Sequence, residues 1–276
     1  MSNVETLRSR IRSYNLRRRS SDLNLGFTAA KISIRLFGII GHGKSSLINF
    51  HCVLNGTEYK NIADERNPEL PDGAGTTILS RYPLDDTCLE ILDMSGYNAF
   101  KYSEQIEIRN PLEGKRRVNS DVSFQGDFIA SFEWAVSSVN PWSWSQWWSV
   151  WHVNESTRDD TIIVPVLVIR ADWDLNSKEL SDLHWFCTTV AYRYAGVKPL
   201  VVQTFGQKKP EREGTHVFPD LPYTKRFLLN NYHEESSTRN PNTDQNILEI
   251  LNACIDCAEE VLNKCRGLAH KPATFQ

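Results

Sequence analysis

The sequence lacks the features that mark membrane-spanning, secreted and disulfide-stabilised chains. It contains no apolar run of the ~18 residues that a membrane-spanning helix requires. Its six cysteines are scattered, so the spacing of a disulfide framework is missing. The N-terminal residues are basic but include no apolar segment typical of a secretory signal. These absences predict a reduced, cytoplasmic location with at most peripheral contact to membranes.

Charge is weak overall but unevenly distributed. A net charge of −3 gives no general attraction to nucleic acid or membrane. Residues 1–25 predict a basic, flexible arm, and the alternative is an arm that contacts an anionic partner or a membrane surface. Specific nucleic-acid binding is not expected, because this segment lacks the repeated aromatic residues that stack on bases. Its arginines are Arg8, Arg10, Arg12, Arg17, Arg18 and Arg19.

The segment from Gly38 to Ser45 fits the pattern G-x-x-x-x-G-K-[ST] of a phosphate-binding P-loop. A run of strand-forming residues precedes it and a helical pattern follows, as this loop requires. The glycines let main-chain N–H groups surround anionic oxygens. Lys44 would reach the β- and γ-phosphates of a nucleotide, and Ser45 would hold Mg²⁺. The residues predicted to bind the ligand here are Gly38, Gly41, His42, Gly43, Lys44, Ser45 and Ser46.

The rest of the chain alternates between strand and helix patterns, which predicts an α/β domain over residues 26–235. Strands are predicted near 31–38, 78–82, 88–92, 162–169 and 200–202. Helices are predicted near 44–54, 128–139, 177–195, 224–231 and 247–265. The last of these, within 236–276, is expected to end at Gly267 and to pack on the domain.

Asp93 and Gly96 form a D-x-x-G motif at the end of a strand, about fifty residues after the P-loop. The carboxylate of Asp93 would hold a water bound to Mg²⁺. The amide of Gly96 would meet the γ-phosphate, because glycine has no side chain in the way. The two strands before this motif are joined by a tight turn, so they should pair in antiparallel fashion.

With its P-loop, antiparallel strand and D-x-x-G motif, the chain resembles the TRAFAC class of P-loop GTPases over roughly residues 30–205. It is similar in style to the septin, AIG1-like, interferon-inducible 44-type and immunity-related families. The resemblance implies a three-layer P-loop fold whose mostly parallel sheet has one antiparallel edge strand. It also implies that Lys44, Thr77 and Gly96 serve hydrolysis, with Thr77, or Thr76 as the alternative, sensing Mg²⁺ and the γ-phosphate in switch I. Ser45, Thr77 and Asp93 would be the metal residues.

The base-recognition motif departs from the family pattern [NT]-[KQ]-x-D. Asp172 follows Arg170 with the right spacing, and the stem of Arg170 would cover the base. Asp174 is the alternative acceptor. A carboxylate at this strand end favours guanine, so GTP and GDP are the expected ligands.

Two residues predict slow hydrolysis. Tyr97 follows Gly96, where many such GTPases have a glutamine that orients the attacking water. Ile40, the third residue of the P-loop segment, is bulky where the γ-phosphate should lie. The main interpretation is a Mg²⁺-dependent GTPase switch or assembly GTPase. The alternatives are a catalytically weak pseudo-GTPase and an ATP-dependent P-loop enzyme.

Five of the eight tryptophans lie in a Trp-rich segment near 140–155. Indole rings suit protein interfaces, buried packing and membrane–water boundaries. The segment is therefore either an interaction surface for a protein partner or a second copy, an insertion packed on the domain, or a membrane contact.

Overall fold

The structure is a computed structural model. It describes residues 3–25, 27–48, 50–57, 79–94, 96–97, 104, 108, 112, 160–173, 175–205, 221–230 and 240–269. Thr76, Thr77, Asp174, the helix predicted at 128–139 and the Trp-rich segment near 140–155 lie outside these residues.

The described residues form a six-stranded sheet with the strand order β2-β3-β1-β4-β5-β6. Its strands are β1 (Lys31–Gly38), β2 (Ser80–Pro83), β3 (Leu89–Asp93), β4 (Thr161–Arg170), β5 (Leu200–Thr204) and β6 (Arg226–Leu228). β2 pairs with β3 in antiparallel fashion, and the other pairings are parallel. The predicted mostly parallel sheet with an antiparallel edge strand is confirmed.

β1 and β4 are central strands because their sequences suit burial on both faces. Seven of the eight residues of β1 and eight of the ten residues of β4 are buried. Near-continuous apolar runs of this kind are typical of parallel strands covered by helices on both sides. The carboxyl ends of β1, β3, β4 and β5 therefore meet at one edge of the sheet, where α/β proteins bind ligands.

Helices flank the sheet in the three-layer arrangement that the sequence predicts, and seven of them have described bounds. They are α1 (Asn3–Ser13), α2 (Leu16–Asp22), α3 (Lys44–Leu47), α4 (Phe50–Asn55), α5 (Ser177–Trp185), α6 (Tyr192–Ala195) and α7 (Pro241–Ala269). A π-helical segment, Phe186–Ala191, joins α5 to α6. No helix among the described residues has the length and apolarity needed to cross a membrane.

The helical stretch from α5 to α6 begins and ends as the sequence predicts. The side chain of Asn176 accepts hydrogen bonds from the N–H groups of Lys178 and Glu179, and the carboxylate of Glu179 accepts from the N–H of Asn176. This reciprocal pattern is a capping box. Gly196 ends the helix with a φ of 73°, a left-handed conformation that glycine adopts without strain.

The N-terminal residues differ from the solvated arm that the sequence predicts. They form α1, which packs against α7 and contacts α4, and α2, which packs against β1. Val4, Leu7 and Ile11 recur at helical spacing, and they turn toward the core. Ile11 and Leu16 are fully buried. Composition alone does not reveal this apolar stripe, because the same segment is rich in arginine.

Three local predictions are wrong. The piece near 224–231 is not helical, because Arg226–Leu228 pairs with β5 as β6. Gly267 does not end the C-terminal helix, which continues to Ala269. The helix expected over 44–54 is divided into α3 and α4.

Candidate functional site

The loop after β1 has the backbone geometry that its glycines permit. Gly41 and Gly43 have φ values of 76° and 81°, which other residues rarely adopt. Gly43 is the N-cap of α3, whose first residue is Lys44. The strand, loop and helix thus follow one another as the P-loop motif requires.

Gly38 is held against the neighbouring strand. A Cβ added at this position would lie 2.3 Å from the carbonyl oxygen of Val168 in β4. The close approach of two backbones explains why the first glycine of the motif tolerates no side chain. It also fixes the start of the loop relative to the end of β4.

Lys44 is buried within the loop that it follows. Its Nζ donates a hydrogen bond to the carbonyl oxygen of Ile39 at 3.0 Å. Burial lowers the pKa of Lys44 to about 8, and the charge of Asp93 opposes this shift. A buried ammonium that bonds one carbonyl has further donor capacity for an anionic ligand.

Ser45 and Asp93, which are 48 residues apart in sequence, meet at the carboxyl edge of the sheet. The Ser45 hydroxyl donates to Asp93 Oδ2 at 2.9 Å. Asp93 is the last residue of β3 and is buried. The pair places hydroxyl and carboxylate oxygens side by side, which is the donor chemistry that Mg²⁺ prefers.

The D-x-x-G segment runs alongside the P-loop. The N–H of Tyr97 donates to the carbonyl of Gly38 at 3.1 Å, and the N–H of Ile40 donates to the carbonyl of Tyr97 at 3.0 Å. A Cβ on Gly96 would lie 2.6 Å from Cγ1 and 2.8 Å from Cα of Ile40. Gly96 is therefore required for this packing, and a shift of Ile40 would directly displace Gly96.

The side chain of Tyr97 points into the protein. It is 1% exposed and stacks on Phe37, with ring centroids 6.5 Å apart and an interplanar angle of 10°. An aromatic ring held in this way does not orient a water beside a phosphate.

His42 contacts residues at the carboxyl ends of β4 and β5. Its Nδ1 lies 3.4 Å from the N–H of Arg170, its carbonyl accepts from the Thr204 hydroxyl at 2.8 Å, and its ring meets that of Trp173 edge-on at 4.8 Å. Burial lowers the pKa of His42 to about 3, assisted by the positive charges of Lys44 and Arg170 and opposed by Asp172. His42 is thus neutral and joins the P-loop to the ends of β4 and β5.

Sequence patterns did not identify this role of His42 or the contribution of Thr204. The Thr204 hydroxyl is fully buried and also lies 3.4 Å from the carbonyl of Ile169. Only the pairing of β4 with β5 brings these groups together, and a local sequence pattern does not indicate which strands pair.

Arg170 and Asp172 are paired at the end of β4. Arg170 Nε and one terminal nitrogen donate to the two carboxylate oxygens of Asp172, at 2.8 Å and 2.7 Å. The Arg170 guanidinium also lies 4.9 Å from the ring centroid of Phe205. Asp172 lies at the same edge of the sheet as the P-loop.

The structure thus brings most of the predicted site residues to one edge of the sheet. Ser46 lies half-buried in the first turn of α3, beside Ser45. Among the described residues, no group of three or more histidine, cysteine, aspartate or glutamate side chains is arranged to hold a metal. Magnesium at nucleotide sites needs fewer, because substrate phosphates and waters supply the remaining ligands.

Comparison with known proteins gives structural likeness only. No protein-family model matches the sequence, and no curated protein matches it significantly. Toc33 from Arabidopsis thaliana in complex with Mg²⁺ and GMPPNP is 14% identical, with 94% of this chain and 93% of that chain covered and a TM-score of 0.46. A dimerization-deficient mutant of Toc33 from the same organism is 13% identical, with 84% and 85% covered and a TM-score of 0.44.

Proposed function

We propose that this chain binds a guanine nucleotide with Mg²⁺ and acts as a slow GTPase, as a switch or as an assembly GTPase. The observation that carries the proposal is the Ser45–Asp93 hydrogen bond beside the buried ammonium of Lys44 in a glycine loop. Each group would contact a different part of a complex of Mg²⁺ with a nucleoside triphosphate. All three groups come from the P-loop or the adjacent strand end.

The Ser45–Asp93 pair fits a magnesium ion. The hydroxyl of Ser45 would bind the metal, and the carboxylate of Asp93 would hold one of its waters. Mg²⁺, when bound, neutralises the negative charge of the phosphate oxygens. Thr77 is proposed as a further metal residue from the family resemblance and lies outside the described residues.

Lys44 would exchange the carbonyl of Ile39 for phosphate oxygens when a nucleotide binds. An ammonium forms stronger hydrogen bonds with an anion than with a neutral carbonyl. Gly96 would respond to the γ-phosphate because it packs against Ile40 within the P-loop. A γ-phosphate that displaces Ile40 would move Gly96, which is the kind of coupling that nucleotide switches use.

Asp172 is the proposed source of guanine preference. Guanine presents two parallel N–H donors, N1–H and the 2-amino group, which match the two oxygens of a carboxylate. Adenine presents an acceptor at N1, so its edge would meet the carboxylate of Asp172 unfavourably.

Replacing Asp172 with asparagine should transfer preference from GTP to xanthosine triphosphate. Xanthine has a carbonyl in place of the 2-amino group, and an asparagine amide can donate to it. We expect GTP affinity to fall by about 10- to 100-fold, because hydrogen bonds to a charged group are lost. Competition against a fluorescent GDP analogue measures both affinities.

Asp174→Asn is the matched variant, because Asp174 is the alternative base acceptor. If Asp174→Asn switches the preference and Asp172→Asn does not, Asp174 is the base-recognition residue. The exposed Asp160→Asn should leave both affinities unchanged.

We expect slow turnover of GTP by the isolated chain, well below ~1 per second and in the range of unassisted GTPases. Tyr97 is packed on Phe37, and Ile40 lies against Gly96, so neither orients the attacking water. Single-turnover conversion of GTP to GDP measures the rate, with Lys44→Ala as the background. A partner-free rate above ~1 per second would contradict this expectation.

One titration, together with the single-turnover measurement, separates the proposed function from its two alternatives. Fluorescent GTP, GDP and ATP are titrated against the protein with Mg²⁺ and with a chelator. The proposal expects tighter binding of GTP than ATP, weakened by the chelator, and slow production of GDP. Binding without hydrolysis indicates a pseudo-GTPase, and preference for ATP indicates an ATP-dependent enzyme.

Two segments are proposed to contact partners. The Trp-rich segment near 140–155 is proposed to contact a protein partner or a second copy of the chain. An anionic partner or a membrane surface would meet the exposed Arg17 and Arg18 of α2. A cytoplasmic, peripheral location is part of the same proposal.

A further inference from the structure

The carboxylate of Asp172 is already paired with the side chain of Arg170, the last residue of β4. β4 ends at Arg170, and the chain turns so that the N–H of Trp173 donates to the Arg170 carbonyl at 3.3 Å. This turn lets the guanidinium reach both oxygens of Asp172 in a parallel, two-point contact. Such a fork geometry is the strongest and most specific form of arginine–carboxylate pairing.

The guanidinium presents the same donors as the edge of guanine. In guanine, C2 is bonded to three nitrogens, and two of them carry the N–H groups that a carboxylate would accept. In arginine, the guanidinium carbon is also bonded to three nitrogens, and two neighbouring N–H groups point in parallel. A carboxylate that accepts one pair cannot accept the other pair at the same time.

The surroundings hold this pair in place. The guanidinium lies over the Phe205 ring at 4.9 Å, a contact in which a flat cation is attracted to an aromatic face. The backbone of Arg170 is anchored separately, with its N–H directed at His42 Nδ1. The side chain of Arg170 is about one-third exposed, so it can leave without displacement of the backbone.

We propose that Arg170 is a specificity-determining residue that imitates guanine at Asp172 and competes with the bound base. The inference rests on the proposed guanine-nucleotide function. Guanine gains both hydrogen bonds only when Arg170 releases both oxygens of Asp172, whereas a base that offers N1–H alone needs only one of these oxygens. Part of the free energy of the second base contact is therefore used to break the pair. Discrimination between purine bases is therefore weaker than an unoccupied carboxylate would give.

Arg170→Met tests this competition, because methionine keeps an apolar stem but removes all the donors. We expect the ratio of GTP to inosine triphosphate affinity to rise by about three- to tenfold, since a well-aligned, partly exposed pair is lost. Inosine lacks the 2-amino group, so this ratio reports the second hydrogen bond at the base. Because the change of charge acts on every triphosphate alike, it cancels in the ratio.

Two further variants complete the test. Arg170→Lys keeps the charge without the fork, so its ratio should lie between those of the wild type and Arg170→Met. In Arg170→Met combined with Asp172→Asn, the gain in the ratio should disappear. Circular dichroism confirms that each variant is folded.

The outcomes distinguish this inference from the proposed function. If nucleotides bind in a Lys44-dependent manner but Arg170→Met leaves the GTP-to-inosine-triphosphate ratio unchanged or lowers it, the competition is refuted and the proposed function stands. If neither the wild type nor Arg170→Met binds any purine triphosphate, both are refuted.

Discussion

Replacing Lys44 with alanine is expected to weaken GTP binding by about 2–5 kcal/mol, or roughly 30-fold to several thousand-fold in Kd. The ammonium is buried and positioned on the carbonyl of Ile39, so it would meet the phosphates where water is largely excluded. Charge-assisted hydrogen bonds to phosphate are among the strongest that a side chain forms. Equilibrium titration with a fluorescent GTP analogue at millimolar Mg²⁺ measures the loss.

The Lys44 variant should fold normally, which separates binding from stability. Burial lowers the pKa of this lysine to about 8, so the folded state carries a cost for keeping it charged at neutral pH. Alanine removes that cost, and the urea midpoint should not fall. The exposed Lys198→Ala is the matched control and should bind GTP as the wild type does. Unchanged GTP affinity in a folded Lys44→Ala protein would contradict the proposed function.

The strands that position this site could be predicted because their signals are local. β1 and β4 are runs of apolar residues long enough to be recognised as buried parallel strands. The glycine and lysine spacing of the P-loop and the capping box at Asn176 are also local patterns. Each depends on a few neighbouring residues, so one sequence suffices to find them.

The contacts that join the two halves of the site could not be predicted. The bonds of His42 to the ends of β4 and β5 depend on which strands are adjacent. The pairing of Arg170 with Asp172 depends on the turn after β4, which the sequence did not indicate. β6 is only three residues long, too short for a periodic pattern to separate strand from helix.

The arginines of the N-terminal segment do not make it a solvated arm. Several of its arginines are used within the chain. Arg8 and Arg12 donate to the carbonyls of Val53 and Leu54, at the C-terminal end of α4. Cations stabilise helix ends of this kind, because the last carbonyls have no partner within the helix.

Two other arginines bind α7. Arg10 forms an ion pair with Asp256 at 2.7 Å, and Arg19 contacts Glu259, whose carboxylate also accepts from the Tyr14 hydroxyl. The N-terminal helices therefore connect α4 with the C-terminal helix α7. Burial beside Glu259 raises the pKa of Tyr14, so its hydroxyl stays protonated and serves as a donor.

Truncating Ile11 or Leu16 to alanine is expected to destabilise the protein by about 2–5 kcal/mol in each case. Both side chains are fully buried where α1 and α2 join the core. Removing several buried methyl and methylene groups loses transfer free energy and leaves a cavity that the helices cannot fully close. Urea unfolding followed by circular dichroism measures the free energy of unfolding, and the slope should remain constant if only the native state changes.

Arg18→Ala is the control for this pair of variants, because Arg18 is exposed on α2. Its effect should stay within about 0.5 kcal/mol, as is usual for surface substitutions. The two variants separate a packed pair of helices from a solvated arm. In a solvated arm, truncation of an apolar side chain would hardly change the free energy of unfolding. Equal stabilities for the wild type, Ile11→Ala and Leu16→Ala would show that residues 3–25 are not part of the folded core.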